Sequence, residues 1–508
     1  MATSTIKFYR LHDICSGGVQ QRVDDLLSKN NEAWDIKNAS IQKIGNITSQ
    51  KLHGTHTATG QFDGIFELVT TASRALQRAN GGNLQKYSGG SWATVTGGSA
   101  AFTNSVYVGF APLLTVSGTT TTEGYIAAGS NGLTKMVFCN GTTASTVQYA
   151  ATGYYLYARC VAAIGNIAFA GGVKFINATP TTYNYSNRIY ISKPGTLTFW
   201  NTTETTAVTA STRYVEVTGT IKAMAVINKY LVVFSDVVNI INPSTFEQFV
   251  LSDYSCVNAG AVAVGNDAIT WISLEGVFVW QGTGRPTKIS RSIQTSYSDG
   301  YWDYVQLDEY AKFRVAMADD SFLYYVVANE GGSDFDEVLE YDWAAKAWKR
   351  DTGYMITCST RSLQANKIVT VFGTNAGAFT FRQGTTYGSL VFETRNIYLD
   401  SIDKIRKIDR IYILYRATTD YLKVEYTINE DLTTWATLTE HAGTNMVLNS
   451  TDGKQILGRI DLGGIMCSSI RFKFSCADAA SFIDLAGIVL EYQGDASSAK
   501  GYNITSNE

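Results

Sequence analysis

The sequence predicts an all-β protein, a β-propeller-like body with an extended N-terminal segment and a C-terminal β-sandwich domain. Short runs of β-branched and aromatic residues, bounded by Gly, Asn or Asp, fill most of the 508 residues and read as strands and turns. Only five prolines stand against 45 glycines, so the turns depend on Gly, Asn and Asp. A loose unit also recurs: an apolar strand, a turn, a hydrophobic-aromatic-hydrophobic strand, a second turn and a third strand. Its spacing of roughly 40 to 60 residues is that of four-stranded propeller blades. One such sheet cannot bury both faces alone, whereas radial stacking buries each sheet on its neighbours. A large irregular β-sandwich, or two in tandem, is the competing architecture.

Residues 1–55 read as an extended segment with one short helix, from Val19 to Trp34, where Val23, Leu26, Leu27 and Trp34 share a face. Alone, a helix of that length is marginal. Residues 56–387 read as the propeller-like body. Its blade-like runs are Gly124 to Cys139, Ala162 to Gly171, Ala223 to Asn239, Ala261 to Gln281, Phe313 to Glu340 and Lys367 to Phe381. Trp271, Phe278, Trp280, Tyr324, Tyr325, Trp343 and Trp348 are expected to fill the space between blades. Residues 388–493 carry longer strands at irregular spacing, among them Ile408 to Arg416, Gln455 to Leu462 and Phe482 to Tyr492, as a separate sandwich would. Residues 494–508 read as a polar tail.

Composition excludes several classes of protein. A hydrophobic fraction of 45% with 12% aromatics can offset the entropy of ordering, so disorder is excluded for most of the length. Charged residues make up 17%, below the usual level of about 25%, leaving a Thr, Ser, Asn and Gly surface suited to packing against other protein. A net charge of −3 argues against a strongly basic nucleic-acid binder. The seven scattered cysteines, Cys15, Cys139, Cys160, Cys256, Cys358, Cys467 and Cys476, show no CxxC spacing. They read as buried thiols made in a reducing compartment. No run approaches the ~18 apolar residues of a membrane span, and Met1 to Gly18 holds no export signal.

Chemistry-bearing patterns are sparse, and no catalytic, cofactor-binding or metal-ligating residue is assigned; an enzyme is not expected, nor a cofactor. His53 and His56 lie in a Gly/Thr segment without a carboxylate or cysteine at ligand spacing, and no nucleophile elbow, phosphate loop or zinc-protease motif is present. Asp319-Asp320 reads as a hairpin turn, and Asp334 to Glu337 lacks the further ligands of a calcium loop. Thr427 to Trp435 is similar to the Asp-box turn of sialidase-like propellers, a hairpin device without its usual Gly. Two stretches read as partner interfaces. Lys404, Arg406 and Lys407 alternate with isoleucine on a half-exposed strand. Tyr297, Tyr301, Trp302 and Tyr304 lie in an aromatic, acidic insertion, and such rings bury much area at low entropy cost.

Several of these segments, in order, resemble the tail hub or nozzle (stopper-type) virion proteins of short-tailed bacteriophages. The resemblance is carried by Asp13 to Lys51 with Gly17-Gly18 and Gly45, by Ile221 to Ile241, and by Ile269 to Tyr297 with Ile289-Ser290-Arg291-Ser292-Ile293. Val338 to Trp348, Val391 to Ile397 and Ile408 to Leu414 complete it, while Ser88 to Tyr185 departs from the pattern. What it implies is a structural virion protein forming a sixfold ring below the head-to-tail adaptor. Such a ring would line and gate the channel through which genomic DNA leaves, and hold a plug, needle or fibre beneath. The alternative is a carbohydrate-binding or sialidase-like propeller recognising a host surface glycan, with Trp302 or Tyr304 as stacking platforms.

Overall fold

The computed structural model describes residues 5–11, 19, 21, 32–41, 46–57, 60–150, 154–176, 182–197, 214–265, 267–294, 301–318, 321–326, 337–351, 356–364, 366–374, 376–399, 404–417, 422–431, 434–438, 456–476 and 482–494. Seven antiparallel sheets follow one another around a ring, each with a first strand on the inside. Blade 1 is Gly64–Val69, Arg74–Asn80, Asn83–Ser88 and Ser91–Thr94. Blade 2 is Val108–Ser117, Thr120–Gly129, Val137–Cys139 and Ala144–Thr146. Blade 3 runs Cys160–Ile164, Ile167–Ile176, Thr182–Ile191 and Tyr214–Glu216, enlarged by Gln148–Ala150 and Tyr154–Tyr157. Blades 4, 5 and 6 begin at Ala223–Ile227, Val262–Val264 and Arg314–Ala318 and end at Gln248–Ser252, Thr287–Lys288 and Ala347–Asp351.

Blade 7 holds three local strands, Ile356–Gln364, Lys367–Thr374 and Ala378–Thr380, and takes its outer strand, Gly54–Thr57, from far earlier in the chain. Its inner strand then packs on that of blade 1 and closes the ring. Closure removes the edges an open stack would leave; six of the seven blade pairs gain their own buried apolar cluster, and the residues between blades 5 and 6 merge with the core of the sandwich. Between blades 4 and 5, Trp271 lies edge-on to Phe234 (5.4 Å between centroids) and stacked on Phe278 (5.8 Å). In blade 6, Tyr324 meets Trp348 at 5.3 Å.

Strands from the first 55 residues are built into the C-terminal unit. Thr5–Leu11 and Ile47–Ser49 both pair with the last strand, Ile483–Gly494, which also pairs with Arg406–Ala417 and, through it, Ile456–Cys467. The facing sheet combines Ala33–Lys37, Leu390–Thr394, Ser469–Cys476 and Lys423–Ile428. Ala33–Lys37 also runs parallel to Ala347–Asp351, joining the sandwich to blade 6 in one continuous sheet. The two sheets enclose Ile408, Ile411, Ile413, Phe392, Phe474, Ile488 and Leu490. A bulge between Ile408 and Arg410 shifts the phase of the long strand, so that Ile408 and Ile411 both point inward.

The expected boundaries at residues 55 and 387 therefore fall inside interlocked structure. Most of the expected helix, Val19 to Trp34, lies outside the described residues. At its ends Val19 bridges to Ala33, and Trp34 belongs to a strand instead, because Ala33–Lys37 finds partners on both sides. The polar tail after Gly494 lies outside the described residues, as do Asp319-Asp320 and residues 334–336.

Candidate functional site

The axial cavity of the propeller has two lobes, of about 340 Å³ and 200 Å³, sharing Tyr107, Val262 and Val264. Its walls are the inner strands, and small apolar residues such as Ala111, Val161, Met224 and Val315 line most of it. Among the described residues no group of three His, Cys, Asp or Glu side chains is placed to hold a metal ion. Six cysteines are buried free thiols; burial pushes Cys256, Cys358 and Cys467 up to about 12, so they are inert at neutral pH. Cys15 lies outside the described residues. A groove of about 460 Å³ beside blades 4 and 5 is lined by Lys222, Asp236, Asp253, Glu275 and Tyr310.

The aromatic insertion is mainly an internal strut. Tyr301 and Trp302, expected at a partner interface, are 8% and 4% exposed and belong to the main core. The Tyr301 hydroxyl donates to Asp35 Oδ1 and accepts from the Ile36 backbone N–H at 3.3 Å, and its own N–H donates to Gln21 Oε1 at 2.8 Å. Arg350 donates through Nε to Asp35 Oδ1 at 3.1 Å and lies 4.9 Å over the Tyr301 ring. Burial, with Asp35 beside it, pushes the Tyr301 hydroxyl well above its usual range. These rings thus pin the N-terminal strand to the link between blades 5 and 6. Tyr304 is 54% exposed and open to a partner; Tyr297 lies outside the described residues.

A second strut latches the seventh blade. Glu340 and Lys349 are both fully buried and pair at 3.2 Å, and Arg382 donates to the other Glu340 oxygen. Burial alone would raise the Glu340 carboxyl; Arg382 and Lys349 outweigh it and hold it below its usual range. Lys349 also reaches Gln50 Oε1 at 3.4 Å, and Gln50 donates to Asp351 Oδ2 at 2.9 Å. His53 Nδ1 accepts from the Arg382 backbone N–H at 3.2 Å. Sequence reasoning missed this network, since Gln50, Glu340, Lys349 and Arg382 are scattered along the chain and carry no motif.

The basic stretch divides by position. Lys404 is exposed, and Ile405 is 57% exposed; Arg406 is buried, and Lys407 is half-buried with an ion pair to Asp409 at 3.4 Å. Arg406 is therefore withdrawn from any partner, while Lys404 and Lys407 remain available. On the outer face of this sheet, Ile6, Gln493, Lys407 and Met466 form one cross-strand row. The next row carries an ion network in which Arg410 binds Asp461 (2.8 Å) and Glu491 (2.9 Å). Exposed apolar residues flank it, Ile6 and Phe8 at one edge, Met466 and Ile405 near the other. The Asp-box-like turn belongs to the sandwich, where Asn429 and Glu430 take positive φ and Trp435 lies 5.5 Å from Arg471.

The chain matches no family model and no curated protein. Among solved structures it is similar to the extracellular domain of a putative hybrid two component system from B. thetaiotaomicron, at 10% identity and a TM-score of 0.41, over 89% of this chain and 63% of that one. It is also similar to the computationally designed Ika8 protein, at 11% identity and a TM-score of 0.35, over 65% of this chain and 99% of that one. For BamB from Moraxella catarrhalis the figures are 12% identity and 0.33, over 65% of this chain and 99% of that one. The propeller assignment stands on the strand pairing itself.

Proposed function

We propose that this chain is a structural, non-enzymatic protein of a bacteriophage tail. It forms a ring-shaped, homohexameric nozzle below the connector and its adaptor, borders the DNA ejection channel and carries distal parts such as a plug, needle or fibre. The observation that supports a ring is the sandwich sheet, whose two edges are open among the described residues and carry different apolar residues on one face. A closed ring needs two unlike patches that meet head to tail. Ile6 and Phe8 at one edge, with Met466 and Ile405 at the other, supply such a pair.

The axial cavity is of small-molecule size, and a duplex whose major groove alone is about 12 Å wide has no path along it. The DNA channel in this reading lies between subunits. The glycan-binding alternative is weakened because Trp302, one of its two platforms, is buried. Among the described residues no helix is long and apolar enough to cross a membrane, which says nothing of spanning strands.

Quantitative peptide mass spectrometry of density-purified particles tests the proposal. The expected copy number relative to the portal is about one half, six against twelve under closed cyclic symmetry. A trace amount would remove the chain from the particle, and a ratio well above one would move it to the capsid or fibres.

A further inference from the structure

From Gly124 to Thr203 the chain contains no aspartate or glutamate but five cations, Lys135, Arg159, Lys174, Arg188 and Lys193, in a protein whose net charge is −3. Blades 2 and 3 bring three of the five together. Lys135 Nζ lies 3.5 Å from the centre of the Tyr155 ring, and Lys135 bridges to Tyr157 through the backbone. Lys174 stands directly opposite Tyr157 in the strand ladder. Arg159, two residues beyond Tyr157 in the bend that follows its strand and also lining the 340 Å³ lobe of the axial cavity, lays its stem against Gly132 and Gly172, which adopt φ of +65° and +64°. A Cβ at either glycine would come within about 3 Å of that stem, so the backbone is shaped to seat the arginine. Lys135, Tyr155, Tyr157, Arg159 and Lys174 are all half-buried. Arg188 is different, since Glu216 binds it at 2.6 Å. Among the described residues Lys135, Arg159 and Lys174 have no ion-pair partner.

We propose that this cationic, tyrosine-flanked patch on blades 2 and 3 binds the phosphate backbone of duplex DNA. Its polar groups all supply donors, two ammonium groups, one guanidinium and the Tyr155 and Tyr157 hydroxyls, the set that contacts phosphate and sugar without reading sequence. A polysaccharide site is favoured by carboxylate acceptors for sugar hydroxyls, and the nearest ones in these two blades lie outside the patch, Glu123 on the second strand of blade 2 and Glu216 on Arg188. The inference deepens the nozzle reading and rests on it only for bringing DNA near the chain.

The test is fluorescence anisotropy of the purified full chain with a short labelled duplex in increasing salt. Three phosphate contacts predict a slope of about −2.7 in log affinity against log salt, or roughly forty-fold weaker binding between about 50 and 200 mM. Lys135→Gln with Lys174→Gln should bring the slope to about −0.9, while the remote Lys367→Gln leaves it unchanged. Circular dichroism checks that the double variant is folded, and each single variant, expected to lower the slope by about 0.9, serves if the double is not. No binding by the wild-type chain at about 50 mM salt, or an unchanged slope in the folded variants, overturns the proposal. Tighter binding of an acidic polysaccharide than of DNA, lost in the same variants, overturns it in favour of a glycan site. Particle copy number is measured independently, so a chain that binds DNA through these residues yet is absent from particles would sink the nozzle reading alone.

Discussion

At the residue scale, His53 shows how closely the last blade is latched. Burial, and then the nearby Arg382, push its imidazole down to about 4. Above its ordinary pKa of about 6.5 the ring is neutral in both folded and unfolded chains, and its contribution is fully present. As pH falls from 6.5 towards 4, the unfolded chain takes up a proton that the folded chain refuses, so stability is lost on acidification. The loss is about 3 kcal/mol over that window. His53→Gln, which keeps an acceptor for the Arg382 N–H, should lose this part of the pH dependence while retaining that of the carboxylates. Urea unfolding at about pH 7 and pH 4.5 checks it; identical slopes for the two proteins would place the titrating group elsewhere. The same scale shows why the aromatic insertion misled sequence reasoning. A Tyr/Trp-rich loop packs equally well inward or outward, and what turns Tyr301 inward is Asp35, 266 residues away in the chain.

Among elements, blades 4 to 7 were legible because strands such as Ile269–Ser273 and Gly276–Trp280 concentrate large apolar and aromatic residues and are buried on both faces. Blade 1 was not. Its strands Arg74–Asn80 and Asn83–Ser88 are mostly polar, and the buried Arg78 packs against the edge-to-face pair of Phe62 (4.5 Å) and Trp92 (4.4 Å). Cation–π packing of this kind leaves no hydrophobic period to read. Nor could periodicity reveal that Gly54–Thr57 completes blade 7, since pairing across more than 300 residues has no local signature. That strand is a sensitive closure. A Cβ at Gly54 would meet Thr380 Oγ1 at 2.8 Å and the Gln383 carbonyl at 3.0 Å, so Gly54→Val should cost about 1 to 3 kcal/mol by overpacking. Faster limited proteolysis near residues 46–57, with a lower urea midpoint, is the expected result; wild-type proteolysis would show that the strand seats despite the added side chain and that Gly54 is not a tight contact.

At the scale of the whole molecule, propeller and sandwich are tied together by the struts of Asp35 with Tyr301 and of Gln50 with Lys349 and Asp351, which leaves the outer sandwich sheet as the large surface still open. Open strand edges are a liability that proteins cover, twist or charge. Here Lys7 and Arg10 put charge on the first strand, yet Ile6 and Phe8 remain 58% and 54% exposed. Burying each of these side chains in a subunit contact is worth about 1.5 kcal/mol or more, so the pair contributes roughly 3 kcal/mol, or about a hundredfold in association. Ile6→Asp with Phe8→Asp should therefore turn an oligomer into a monomer whose unfolding is unchanged, because both side chains already face solvent in the isolated chain. Sedimentation velocity on the two proteins decides the matter. Assembly of the variant at wild-type concentrations would release this edge from the interface. Loss of assembly together with loss of folding would mean that the strand serves the sandwich itself, and the single variant Met466→Asp at the opposite edge would then carry the test, since a head-to-tail contact is broken from either side.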